Sequence, residues 1–362
     1  MSTRVAVVGA GIVGLAAASA LRRAGVAVRC FEQATPGHAE SAGLTRIFRH
    51  AHGEPALVRL AMQARAGWEA WEHRYDRRLV GEEGLLITGL PLVPRWEQAL
   101  REAGAAYRYL EPTESRRALP ISRLPAGPVL WDPAGGAIRA RRTITLLHAD
   151  LADAIVPAVV RDLTSTRTGM RVQASAGSWT CDAVLVAAGI DTPRLAAQVG
   201  VRLPTILARH ARFTFAVRGP QPERLACWID ASGAYGAGLS SYGQPVGTSG
   251  RYAVGVSEQE ADYPATMTAE EVSRRAREVA RRYVPAALPG LDPQPEAELH
   301  CTSNRTGFAD GDGFGAVQGG AVTVVYGNNL FKFAPLLGDL LAHAVVHQEL
   351  PIALRTWTLA RG

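Results

Sequence analysis

The chain has 362 residues, 47% of them hydrophobic, and a formal net charge of +6, enough apolar content for a buried core divided between two lobes. Its arginines are spread along the whole length with no basic block or aromatic-interleaved patch, which argues against a nucleic-acid partner. No run of eighteen apolar residues lacks glycine or charge, so no membrane span is expected, and Cys30, Cys181, Cys227 and Cys301 are scattered without a CxxC pair, which argues against a disulfide framework or zinc site and for a reducing cytoplasm.

The first segment reads strand, turn, helix, strand. Val5-Ala6-Val7-Val8 is a continuous apolar run of the kind that forms a buried parallel strand. Gly9, Gly11 and Gly14 follow as GxGxxG and open a small-residue helix to about Arg23. In such a motif the first glycine permits the tight turn, the second lets backbone approach a pyrophosphate, and the third lets helix pack on strand. The next strand, Ala27 to Phe31, ends on Glu32, where an acid can bind ribose hydroxyls. The stretch from Val5 to Ala20 is therefore read as a dinucleotide cradle rather than a signal peptide, as it lacks a convincing cleavage site. The motif alone does not separate FAD from NAD.

A loop centred on Thr45-Arg46-Ile47-Phe48-Arg49-His50 comes next, and Pro55 opens a long helix with Leu57, Leu60, Ala64, Trp68, Trp71 and Tyr75 at core spacing. From Gly84 to about Trp131 strands and a helix alternate; Ala137 to Ala154 is predicted helical; Ser178 to Val186 is predicted a strand closing on Gly189. Residues 206–256 read as strands broken by Gly and Pro, an antiparallel sheet. Thr268 to Tyr283 reads as an amphipathic helix. Asp310 and Asp312, in a Gly-rich stretch, lack the ligand count of a calcium loop and are expected in a solvated turn, so no metal is expected. Val322 to Val325 returns as a buried strand, with a turn at Gly327 and a helix through His347. No nucleophile elbow or other hydrolase signature is present. Of the 39 basic residues, Lys332 alone is lysine. Against such an arginine bias a single lysine marks a place where arginine would not serve, unless it is a chance survivor on the surface.

These residues carry a resemblance. The sequence resembles the D-amino-acid-oxidase-like FAD-dependent oxidoreductases, and within them the monomeric sarcosine oxidase and N-methyltryptophan oxidase group, over essentially its whole length. The resemblance is strongest at GAGIVG, at TRIFRHAHGE in residues 45–54, at Asp132-Pro133 with Gly136 to Arg139, at Cys301, and at Gly327 to Phe333. It implies an α/β fold: a Rossmann-like FAD-binding domain built from residues 1–82, 140–202 and 298–362, with an inserted, mostly antiparallel sheet substrate domain from 83–139 and 203–297.

It also implies roles. Arg49 and Lys332 would bind the substrate carboxylate, Arg49 through its planar fork. Arg46 and Thr45 would lie beside the flavin with Gly189, and Leu330, Phe331 and Lys332 would place a helix N-terminus at the flavin's pyrimidine edge, where the dipole favours the charge of the reduced ring. Cys301 would form a thioether to the flavin. Tyr235 would face substrate. The chain departs from the group at Leu330, usually a small residue; at Ser257 and Ser303, where it has histidine and tyrosine; and at Ala253, in place of the lysine that helps oxygen react. Arg251, on the same strand face, would be placed to compensate in part.

The implied function is oxidation of a C–N bond in a small amine or amino acid carrying a carboxylate, by hydride transfer to flavin N5, giving an imine. Electrons would pass to oxygen, or to another acceptor if the chain is a dehydrogenase; a non-catalytic flavin-binding subunit is the third reading. A cytoplasmic monomer is expected.

Overall fold

A computed structural model describes residues 3–90, 92–220, 222–258, 263–307 and 312–355. Two sheets organise it. The first has six strands in the order Phe314–Gly319, Val322–Gly327, Ala183–Val186, Arg4–Val8, Ala27–Glu32 and Ile155–Pro157. Its neighbours run parallel apart from the edge pair Phe314–Gly319 and Val322–Gly327. Val5 to Val8 lie at its centre, paired with Ala183 to Val186 on one side and Val28 to Phe31 on the other. A strand buried on both faces needs a continuous apolar run, which these segments supply.

One face of this sheet packs against the helices Ile12–Arg23, Ala140–Asp150 and Ala334–His347 and the long helix Pro55–Tyr75. The other face packs against a three-stranded antiparallel sheet, Val160–Thr166, Gly169–Ala174 and Gly177–Cys181, and the helix Thr192–Gln198. Gly338 allows the close helix contact: a Cβ there would lie 2.8 Å from the Ala16 backbone. Residues 330–347 are apolar enough, by length and composition, to cross a membrane. In this fold their apolar side chains pack on the first helix and the core, which accounts for that composition.

The second sheet is largely antiparallel and has nine strands. Its longest members, Thr205–Val217 and Leu291–Thr306, pair along almost their entire length. The helix Ala269–Ala287 covers one face, started by a capping box in which Thr268 and Glu271 satisfy each other's backbone N–H groups. This mixed α/β arrangement, a parallel Rossmann-like sheet with additional antiparallel sheets, is the predicted fold class.

Two predicted elements differ. The helix expected over Ala137 to Ala154 is shorter, Ala140–Asp150, and follows a strand Gly136–Ile138 that pairs with Arg46–Phe48. The strand expected over Ser178 to Val186 is two strands in different sheets, divided at Asp182, which hydrogen bonds the Arg4 backbone through both its N–H and its carboxylate. Local patterning shows neither break, because each is set by pairing with a partner distant in sequence.

Candidate active site

A cavity of about 720 Å³ runs from the first turn of the parallel sheet to the inner ends of the antiparallel strands. At one end lies the glycine turn. Gly9 has φ +102°, and a Cβ there would lie 2.4 Å from the Ala187 carbonyl oxygen. A Cβ on Gly14 would lie 1.9 Å from the Gly9 carbonyl oxygen, so this glycine sets the helix–strand approach and does not itself line the cavity. Gly11 precedes the helix in extended conformation, and the Ile12 N–H behind it donates to Ser41 Oγ at 3.0 Å. Glu32 is buried on the cavity wall, its carboxylate accepting from Ala10 N at 2.8 Å and Ala34 N at 3.1 Å. The remaining lone pairs of that carboxylate are those a ribose would use.

The loop around Arg49 is pinned from below. Asp132 accepts from His50 N at 2.7 Å and Ala51 N at 2.9 Å, while Arg46–Phe48 pairs with Gly136–Ile138. The Thr-Arg and Asp-Pro segments, far apart in sequence, thus form one structural unit. Arg46 is half-buried and its guanidinium donates to the carbonyls of Glu40, Ala42 and Thr45. Burial, then the neighbouring Arg212 charge, pulls it down to about 10. Gly189, Leu330, Phe331 and Lys332 line the cavity, and Leu330–Phe333 form a 3-10 turn leading into the helix Ala334–His347.

Arg49 and Lys332 converge. Both are nearly buried, at 7% and 5% exposure, and both line the cavity. The Arg49 guanidinium lies over the Trp96 ring, 4.6 Å from its centroid. Lys332 Nζ lies 3.3 Å from His52 Nε2. His52 Nδ1 donates to the His50 carbonyl at 3.0 Å, leaving Nε2 as the acceptor. Burial and the charges of Arg49 and Lys332 keep His52 well below its usual range, hence neutral. Burial, followed by the Arg49 charge, pulls Lys332 down to about 7, with Asp312 opposing.

Asp312 corrects the sequence reading. Its carboxylate does not sit in a solvated turn but inside the cavity, ion-paired to Arg49, accepting from Asn329 Nδ2, and 3.7 Å from Lys332 Nζ. Asp310 lies outside the described residues. Three further residues lie otherwise than expected. Tyr235 does not line the cavity: its ring packs on Trp228 and Tyr283, and its hydroxyl donates to the Arg123 carbonyl. Thr45 is buried beneath the cavity, donating to the Pro245 carbonyl at 3.3 Å, and its own carbonyl holds Arg46 and Arg212. Arg251 is turned to the outer rim, where it pairs with Glu296, and so does not stand in for a cation near Ala253.

Cys301 lines the cavity beside His210, Arg212 and Arg46. Burial raises its thiol pKa, but hydrogen bonding with His210 and the charges of His210, Arg46 and Arg212 outweigh this and leave it below the ordinary value. His210, Arg212, Gln244 and Glu40 had no sequence signal as site residues, whereas Asn329 lies within the Gly327 to Phe333 segment of the resemblance and Asp312 reads as a solvated turn. Of these, Gln244 is buried in the cavity wall with neither amide atom hydrogen bonded, as are the Ser303 and Tyr326 hydroxyls.

A glycine turn opening a helix, a buried carboxylate at the end of the second strand and a long cavity between the two sheets have the form of a dinucleotide-binding site. The chain belongs to the DAO family of FAD dependent oxidoreductases, whose family model matches residues 4–344. No curated protein sequence matches it. Among solved structures it is similar to the open form of NikD, an unusual amino acid oxidase essential for nikkomycin biosynthesis, with 23% identity, TM-score 0.82, and 96% of this chain and 95% of that one covered. L-proline dehydrogenase from P. horikoshii matches with 16% identity, TM-score 0.82 and coverage of 99% and 96%. Glycine oxidase from Geobacillus kaustophilus matches with 22% identity, TM-score 0.80 and full coverage of both chains. At such identities the likeness is one of fold.

The residues present fit FAD. Gly9 and Gly11 line the cavity at the turn, where a Cβ on Gly11 would meet only Ser41 Oγ at 3.3 Å, and Glu32 stands at the end of the second strand. The orphaned Gln244, Ser303 and Tyr326 atoms offer hydrogen bonds to a polar ligand farther along the cavity.

Proposed function

We propose that this chain oxidises the carbon–nitrogen bond of a small amine or amino acid whose carboxylate is held by Arg49 and Lys332. The observation that carries this reading is that the two cations, 283 residues apart in sequence, meet around a single carboxylate, that of Asp312, inside the cavity. A guanidinium fork and a buried ammonium around one anion make a site built for a carboxylate. The likeness to NikD, to glycine oxidase and to L-proline dehydrogenase supports an amino-acid-like substrate.

When bound, FAD supplies the acceptor for the hydride that leaves the carbon next to nitrogen. The chain's own residues bind and orient. Trp96 fixes the plane of Arg49 by stacking on it, and the neutral His52 accepts from Lys332 and so points the ammonium. Both cations are nearly buried, which strengthens their charge contacts. With the substrate amine bound neutral, no strong general base is required. Cys301, lowered by His210 and two arginines, is suited to thioether attachment of the flavin.

A second reading, a dehydrogenase that passes electrons to a non-oxygen acceptor, is favoured by Ala253. It is buried between Thr214 and Gln244 in the sheet, carries no charge and does not reach the cavity.

The test is an anaerobic screen of secondary amino acids, prolines, N-methyl amino acids and D-amino acids against the purified holoprotein, with flavin absorbance as the readout. Bleaching by a carboxylate-bearing amine supports the proposal. Bleaching by plain amines alone would remove the carboxylate from it, and none at all would leave the non-catalytic subunit.

A further inference from the structure

The cation pair proposed to hold the substrate carboxylate already holds one. Asp312 is ion-paired to Arg49 through one oxygen; the other accepts from Asn329 Nδ2 and lies 3.7 Å from Lys332 Nζ. All four side chains line the same cavity as the glycine turn. This is not a rim contact, since Arg49 and Lys332 are almost wholly buried. We propose that Asp312 is an internal ligand of the Arg49–Lys332 pair, occupying the carboxylate position until a substrate carboxylate displaces it.

The inference rests on the carboxylate reading above and adds a competitor to it. Two buried cations a few ångströms from a shared point repel each other strongly, so while Lys332 is protonated the pair favours an anion between them. Asp312 supplies that anion from the chain. It cannot remain there once a substrate carboxylate arrives, because two like charges would then share one desolvated site. The Asp312 side chain keeps 18% exposure, so turning outward brings its carboxylate to solvent.

The exchange has two consequences. Every carboxylate ligand binds more weakly than it would to a vacated pair, by the fraction of molecules in which Asp312 has moved away. An amine without a carboxylate gains nothing at the pair when it displaces Asp312, so the internal ligand also sharpens selectivity for carboxylate-bearing substrates.

The test uses the flavin-loaded protein with acetate and benzoate as probes, read by flavin difference absorbance and by the rise in melting temperature. Asp312→Ala and Asp312→Asn are each expected to bind the probes at least about tenfold more tightly than the unmodified protein, or 1.4 kcal/mol. Asp312→Asn keeps the side chain's volume, so the comparison survives if the alanine variant fails to fold. The unmodified protein gives an independent reading. With 13C-labelled aspartate, acetate binding must shift one aspartate carboxylate band in the infrared difference spectrum. Equal or weaker probe binding in the variants, or no aspartate band shift while acetate binds, overturns the role of Asp312 and leaves the carboxylate site intact. If neither parent nor variants respond to any carboxylate while retaining flavin, the carboxylate site itself is wrong, and the internal ligand falls with it.

Discussion

Cys301 faces His210 directly across the antiparallel pair formed by Leu291–Thr306 and Thr205–Val217. Cross-strand partners sit close enough for side chains to interact, and here one is a thiol and the other an imidazole. The remaining cysteines behave differently: burial pushes Cys30 and Cys227 well up and Cys181 up to about 11. Cys301 alone of the four lines the cavity and is lowered.

Covalent flavin is therefore expected at Cys301. After acid precipitation the yellow colour should stay with the protein pellet, and Cys301→Ala should release it to the supernatant. His210→Ala should slow attachment of added FAD to apoprotein, most clearly near neutral pH, because it removes a hydrogen bond that favours the thiolate. Free FAD released from the unmodified protein would disprove the linkage while leaving the fold's cofactor unchanged.

Arg49→Ala should weaken binding of the substrate carboxylate by about 2–5 kcal/mol, the range for truncating one partner of a desolvated charge pair. Lys332→Ala should act in the same direction. An amine lacking the carboxylate should bind the variants and the unmodified protein alike, as measured by anaerobic flavin titration. Unchanged affinity for the true substrate in both variants would show that its carboxylate lies elsewhere.

Carboxylate affinity should fall as pH rises through about 7. The sign follows from Lys332, which burial and the Arg49 charge bring down to about 7, against an ordinary lysine value of 10.5. Below that pH Lys332 is charged and attracts the carboxylate; above it the ammonium loses its proton and the attraction with it. One titrating group can change affinity by no more than about tenfold per pH unit. Probe titrations from pH 6 to 9 should show this decline, and Lys332→Met should flatten it. A pH-independent affinity in the unmodified protein would mean that Lys332 stays charged throughout.

Reduced flavin should react slowly with oxygen relative to the sarcosine oxidases. Superoxide forms as an anion, and a fixed positive charge near it lowers the barrier, about tenfold in rate for each ~1.4 kcal/mol. Ala253 offers none, and Arg251 is committed to Glu296 at the rim. Stopped-flow reoxidation of photoreduced protein should therefore be accelerated by Ala253→Lys. Rapid reoxidation of the unmodified protein, unaltered in that variant, would place oxygen activation at another cation such as Lys332.

Gly14→Ala should destabilise the protein by about 1–3 kcal/mol, the cost of overpacking a tight contact, because the new methyl would lie 1.9 Å from the Gly9 carbonyl oxygen. Gly11→Ala meets only Ser41 Oγ at 3.3 Å, so its effect should appear in FAD affinity rather than in melting temperature. Thermal melting of the apoproteins and FAD titration separate the two. Equal melting temperatures for Gly14→Ala and the unmodified protein would mean the helix can shift to relieve the contact.

What the sequence determined by itself is what contiguous chain can encode. The cradle from Val5 to Glu32 is one strand–turn–helix–strand unit whose glycine spacing has a single geometric solution. The solitary lysine marked Lys332, and the Thr-Arg-x-x-Arg segment marked Arg46 and Arg49, all three of which line the cavity. Only the tertiary structure decided the rest, because it depends on which distant segments meet. Tyr235 packs on Tyr283 away from the cavity, and no local pattern tells the two faces of a glycine-rich turn apart. His210 enters the site because its strand pairs with that of Cys301, 91 residues on. Asp312 has the local signature of a solvated turn. It lies half-buried in the cavity because Arg49, 263 residues away, and Lys332, 20 residues away, bring it the opposite charges that a carboxylate needs before it can leave water.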